Sequence, residues 1–207
     1  MKIGLITYHA AYNYGSVLQA YATQCAIEKT GNSVEIINYR MAEQRNVYCM
    51  YRTKFGLKTL IKDLLQIPIH SQRRERCNKF EQFINKYMNL SGEYLTPEEV
   101  SECWDKYELI VSGSDQIWNK HSLELENNEW GYMAPYLLEG YSGKKVSYAS
   151  SIANMTDDEL LRIVQSIKDF SYVSLREISS IDRIQKFLTN KVRNVVDPTF
   201  LLTAEEW

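Results

Sequence analysis

Apolar positions along this chain come in short solid runs and in helical stripes, and the two alternate. Residues 2–8 are a short apolar run, the pattern of a strand buried on both faces of a parallel sheet. Residues 16–30 follow, with Val17, Leu18, Tyr21, Ala22, Cys25 and Ala26 spaced to fall on one helix face. Gly31 predicts the stop, because glycine enters the left-handed region without steric penalty. Residues 33–38 read as a second strand. A strand, a helix and a strand at the start of the chain predict the opening of a doubly wound parallel sheet.

The pattern changes over residues 40–106, where no strong strand is visible. Leu57, Leu60, Ile61, Leu64 and Leu65 form one helical stripe, with Lys58 and Lys62 opposite; Cys77, Phe80, Phe83, Ile84, Tyr87 and Met88 form a second. Thr96 and Glu99 have capping-box spacing, and Pro97 suits a first helical position. We read the segment as a helical insertion. The alternation then resumes. Strands are predicted at 107–112, 145–150, 171–175 and 192–196. One helix starts at Thr156 and carries Leu160, Ile163, Val164 and Ile167; another carries Ile181, Ile184, Phe187 and Leu188. Six strands with helices between most of them predict one open parallel sheet, an α/β fold. No internal repeat is visible.

Composition narrows the class further. The 207 residues are 44% hydrophobic and 24% charged, which is ordinary for a globular chain. No apolar run approaches the ~18 residues that a membrane-spanning helix requires, and the N-terminus turns polar too early for a signal peptide. Cys25, Cys49, Cys77 and Cys103 lack the spacing of a zinc site or a disulfide scaffold, so free thiols in a reducing cytoplasm are expected, with no metal. The net charge of −2 is unevenly spread. Residues 40–79 hold ten Lys and Arg against three acids, net +7, which suits an anionic surface such as a membrane. The plainer alternative is a solvated helical face. Overall negative charge argues against nucleic acid.

In an open α/β sheet, ligands bind beyond the carboxyl ends of the strands, so residues just past each strand are the candidates. The first such loop, residues 9–16, has no dinucleotide fingerprint, and the chain has no phosphate-loop motif. Tyr14, Gly15 and Ser16 open the first helix, where free N–H groups can hold an anion. Ser112, Gly113, Ser114 and Asp115 make a tight turn that presents a carboxylate; its alternative is an Asx turn or cap. Arg176 directly follows Val173-Ser174-Leu175 and offers a planar fork for a carboxylate or phosphate. An ion pair with Glu177 or another carboxylate is its alternative. His9 is a candidate base, more commonly structural in such a loop. Tyr12, Tyr14, Tyr21 and Trp118 would suit a sugar-stacking wall or, equally, a core.

Five segments in order carry a resemblance. These are Ile3–His9 with Tyr12–Tyr21, Gly113-Ser-Asp-Gln-Ile-Trp-Asn119, Ser147–Ile152, Val173-Ser-Leu-Arg-Glu177 and Val196-Asp-Pro-Thr-Phe-Leu-Leu202. Together they resemble the polysaccharide pyruvyl transferase family. The resemblance implies a Rossmann-like domain over residues 1–207, the N-terminal half of a two-domain fold like the B-type glycosyltransferases. It implies transfer of a pyruvyl group from phosphoenolpyruvate, a donor substrate rather than a cofactor, onto a sugar or lipid-linked saccharide, leaving a ketal and phosphate. Arg176 falls on the pattern where an arginine contacts the donor, and Asp115 is the acid–base candidate. Asn13, Tyr14, Gly15, Ser114 and Gln116 lie on motifs facing the substrate. Family members run to about two domains of ordinary size, so a half-protein, weak or inactive alone, is expected. The expected location is cytoplasmic, with residues 40–79 touching the inner membrane face. A homo-oligomer is compatible with this reading. A sugar-nucleotide glycosyltransferase and a non-catalytic α/β binding module are the alternatives.

Overall fold

The computed structural model describes residues 1–41, 70–122 and 130–207. The chain builds strand β1 (Lys2–Ile6), helix α1 (Tyr14–Glu28), β2 (Ser33–Tyr39), α2 (His70–Tyr87), β3 (Leu90–Tyr94) and α3 (Pro97–Ser101). Then come β4 (Leu109–Ser112), β5 (Lys144–Ser147), α4 (Asp157–Ile167), β6 (Val173–Leu175), α5 (Ile178–Gln185) and β7 (Val192–Asn194). Short 3-10 turns occupy Trp104–Lys106, Trp130–Leu137 and Pro198–Leu201. Five strands pair in the order β3-β2-β1-β4-β5, all parallel. The order reverses direction at β1, the switch point of a Rossmann-like sheet.

Two corrections concern the sheet. β3 lies inside the segment read as purely helical. Its sequence, Leu-Ser-Gly-Glu-Tyr, has no apolar alternation because it is an edge strand and largely exposed. The sheet is also not one continuous ladder, since β6 and β7 form a separate parallel pair. Isolated bridges join it to β5 at Val146–Tyr172 and to the loop after β5 at Ser150–Leu175. Serines account for the break. The Ser174 N–H donates to Ser147 Oγ at 2.9 Å, and Ser174 Oγ donates to the Ser147 carbonyl at 2.8 Å, so side chains take bonds a ladder would use.

Period-two alternation assigns the two faces. Ile3, Leu5, Val34, Ile36, Leu109 and Val111 pack with Val17 and Ala20 of α1 and Phe80 and Ile84 of α2. Ile6, Ile37, Tyr39 and Ile110 point to the other face, against Trp104, Trp118 and Leu160, Ile163 and Ile167 of α4. Gly4 lies on that face because the Tyr107 ring covers it; a Cβ would sit 3.0 Å from the ring. The second stripe read from the sequence lies on α2, with Phe80, Ile84 and Met88 buried. The Leu57–Leu65 stripe, Cys49 and most of the basic block lie outside the described residues.

The helix ends follow the local chemistry. Asn13 caps α1, its Oδ1 accepting the Gly15 N–H at 2.8 Å. Gly31 stands at φ +77° just past the end of α1. Thr156 and Glu159 form a reciprocal capping box on α4. At α3 the Thr96 side chain accepts the Glu99 N–H, while Glu99 reaches one residue further back, to the N–H of Leu95.

Candidate functional site

The loops after β1 and β4 meet at the switch point and are stitched together by buried polar groups. Thr7 Oγ1 donates to the Ser114 carbonyl at 3.0 Å and accepts from Gln19 Nε2 at 2.8 Å. Gln19 Oε1 in turn accepts the Ser114 N–H at 3.3 Å. Gly113, at φ +138°, lies against the Tyr148 carbonyl, and a side chain there would collide with it. This scaffold fixes the turn that carries Asp115. The Asp115 backbone is left-handed at φ +76°. Its carboxylate accepts from Ser16 Oγ at 2.5 Å through Oδ2 and from the Gln116 N–H at 2.8 Å through Oδ1.

A cleft of about 620 Å³ opens above these loops. One wall is the start of α1, with Asn13, Gly15, Ser16 and Gln19; the floor holds Tyr8, Asp115 and Gln116. The opposite wall is Arg176, Asp197, Thr199 and Phe200. Four elements far apart in sequence therefore contribute to one cavity: the α1 end, the loop after β4, the end of β6 and the turn after β7.

Arg176 stands on the cleft wall and is already ion-paired. Nη1 donates to Asp197 Oδ2 at 2.8 Å and Nε to Glu177 Oε1 at 3.3 Å. Burial opposes ionisation of Asp197, yet the Thr199 N–H and hydroxyl and the Arg176 guanidinium hold its carboxyl below the usual carboxylate range. The expected ion pair and the cleft position are thus both present in one side chain.

The other candidates separate. Asn13, Gly15, Asp115 and Gln116 line the cleft with Arg176. Ser114 does not: it is fully buried, and its Oγ donates to the Ala149 carbonyl at 3.0 Å. Tyr14 points away from the cleft, its ring tilted against Phe80 with centroids 5.0 Å apart, and lines a separate groove between α1 and α2. Trp118 is core, its indole N–H donating to the Tyr136 carbonyl at 3.0 Å. Tyr12 bonds Glu81 at 2.7 Å, and Tyr21 packs on Phe83. His9 is wholly buried behind the cleft. Burial pulls its imidazole down to about 4, so the ring is neutral at pH 7. Its Nε2 lies 2.9 Å from Asn38 Oδ1, which also accepts from Arg40 Nε.

Sequence reasoning passes over Tyr8, Gln19 and Phe200; it marks Ser16, Asp197 and Thr199 by their place beyond the strands but gives Asp197 and Thr199 no role. Asp197 and Thr199 had a readable signal, since they directly follow the last strand. Gln19 had none, because a buried polar face on α1 makes sense only once the loop after β4 lies against it. Cys25, Cys77 and Cys103 are free thiols. Among the described residues, no helix is long and apolar enough to cross a membrane. No cluster of three or more His, Cys, Asp or Glu among them has the makings of a metal site.

A family model described as polysaccharide pyruvyl transferase matches residues 13–207. Searches of curated proteins and of solved structures give no match.

Proposed function

The chain belongs to the polysaccharide pyruvyl transferase family, and from that membership we propose that it acts in moving a pyruvyl group from phosphoenolpyruvate onto two hydroxyls of a sugar. The observation that supports this reading is the single cleft in which Arg176, Asp115, Asn13, Gly15 and Gln116 converge. Phosphoenolpyruvate carries a carboxylate and a phosphate, and a guanidinium holds either in a two-point fork. Held there, the donor would have its enol carbon near the floor of the cleft.

The chemistry then runs in two additions. A carboxylic acid protonates the methylene carbon, leaving positive charge at the adjacent carbon, and a sugar hydroxyl adds there with loss of its proton. A second hydroxyl displaces phosphate and closes the cyclic ketal. Asp115 is our candidate for proton transfer, acting through the Ser16 hydroxyl that it holds at 2.5 Å. Carboxylates outnumber Arg176 around the cleft, so this half holds a donor this anionic only weakly and full affinity needs further positive charge. We therefore propose that residues 1–207 act as the N-terminal half of a two-domain, glycosyltransferase-B-like enzyme whose other half supplies that charge. The acceptor in this reading is a sugar or lipid-linked saccharide. The +7 of residues 40–79 brings the protein to the inner membrane face.

Donor-dependent thermal shift tests the reading. Phosphoenolpyruvate should raise the unfolding midpoint of the wild-type chain and leave that of Arg176→Ala unchanged. A shift with a nucleotide sugar instead would favour a glycosyltransferase, and no shift with either would favour a non-catalytic module. In pyruvyl transfer by the two-domain enzyme, Arg176→Ala should raise the donor KM or lower kcat more than tenfold, about 1.4 kcal/mol.

A further inference from the structure

Arg176 has five N–H groups, and the described residues engage only two of them. Glu177 takes the Nε–H and Asp197 takes one hydrogen of Nη1. One N–H on Nη1 and both on Nη2 remain, enough donors to grip a carboxylate or phosphate at two points. A guanidinium used this way must not rotate, since its fork is useful only in one plane.

The residue that stops rotation is itself clamped. Asp197 Oδ1 accepts the Thr199 N–H at 3.0 Å and the Thr199 hydroxyl at 2.8 Å, which leaves Oδ2 aimed at Arg176. Thr199 belongs to a strap that runs from β7 back across the carboxyl edge of the sheet to α1. The strap is fastened at its far end: Glu206 pairs with Lys29 at 2.6 Å, and Trp207 packs on Tyr21 while its indole N–H donates to the Thr199 carbonyl at 3.3 Å. The chain thus anchors one carboxylate at both of its oxygens and fastens the segment that carries it to α1, the helix whose start forms the opposite wall of the cleft.

We propose that Asp197 is a positioning residue for Arg176, held by Thr199 and the 197–207 strap so that the guanidinium presents its remaining N–H groups to the donor anion. This rests on the donor reading above. Asp197 touches neither donor nor acceptor; it acts only through Arg176.

The test uses the 207-residue chain, the NMR signals of the Arg176 guanidinium and titration with phosphoenolpyruvate. In wild type the ion pair should slow rotation about the Arg176 Cζ–Nε bond. Asp197→Asn puts an amide N–H where the carboxylate oxygen was, so rotation should quicken several-fold and donor affinity should fall about tenfold. Thr199→Ala keeps the ion pair but removes one anchor of Oδ1, and should weaken binding about threefold. Unchanged rotation and affinity in Asp197→Asn, with binding abolished in Arg176→Ala, would overturn the positioning role and leave the donor reading standing. Full affinity in Arg176→Ala would sink the donor reading, and the positioning role with it. Should Asp197→Asn fail to fold, Thr199→Ala decides: unaltered affinity there overturns the proposal.

Discussion

Lowering the pH from 7 to 5 should weaken folding by about 2 kcal/mol through His9. The imidazole is wholly buried; burial lowers its value to about 4, against 6.5 when free in the unfolded chain. Arg40 lowers it further, while bonds to Asn38 and Thr7 and the charge of Glu81 pull it back only partly. A histidine held below its free value costs nothing above pH 6.5. As the pH falls, the unfolded chain takes up a proton that the folded chain refuses, so stability drops until about pH 4. At pH 5 the unfolded imidazole is about 1.5 units below its own midpoint, and each unit corresponds to about 1.36 kcal/mol. With a urea dependence of about 2 kcal/mol per molar, the unfolding midpoint should drop by ~1 M between pH 7 and 5. The carboxyls of Asp197 and Glu81 are held low, so their contributions are lost only at more acid pH. The assay is urea unfolding followed by tryptophan fluorescence at both pH values. His9→Gln, which keeps a polar side chain but cannot titrate, should remove most of the drop. An undiminished drop in His9→Gln, or a His9 proton titrating above pH 6 by NMR, would refute the reasoning.

Other perturbations separate the core from the cleft. Trp118→Ala should cost about 3–5 kcal/mol in thermal unfolding, because it empties a fully buried site edge-on to Phe170 and removes the bond to the Tyr136 carbonyl. Thr156→Ala should cost about 1 kcal/mol by removing one half of the capping box on α4. Gly113→Ala should leave little soluble protein on expression, since a side chain at φ +138° meets the Tyr148 carbonyl. In the two-domain enzyme, Asp115→Asn should flatten the pH dependence of pyruvyl transfer; an unaltered profile would reduce Asp115 to a turn residue. The chain should co-float with anionic liposomes at low salt and separate from them at high salt, and failure to float would remove the membrane role of residues 40–79.

Local pattern was enough for much of the architecture. The apolar run at residues 2–6, Gly31 and the Thr156–Glu159 capping box act over a few neighbours, so the sequence alone specifies them; the apolar stripe read on α1 is different, since only Val17 and Ala22 of it are buried and the covered face also holds Ser16, Gln19, Ala20, Thr23 and Gln24. It also placed Arg176 at the carboxyl edge, because the residue after a parallel strand has to emerge there. What it could not decide was which polar side chains face outward. Ser114 and Asp115 are adjacent in one turn, yet one is locked inside by Ala149 and Gln19 and the other opens on the cleft. Tyr14 and Gly15 sit side by side on α1 and serve different grooves. β3 escaped because an edge strand buries too little to show an apolar period, and the break after β5 because serines quietly replace ladder bonds. The pairing of Arg176 with Asp197 spans 21 residues and needs β6 and β7 lying side by side. Periodicity and capping are short-range and written residue by residue; the orientation of a side chain at a junction of four loops is a balance of packing across the whole sheet, and only the folded chain sets it.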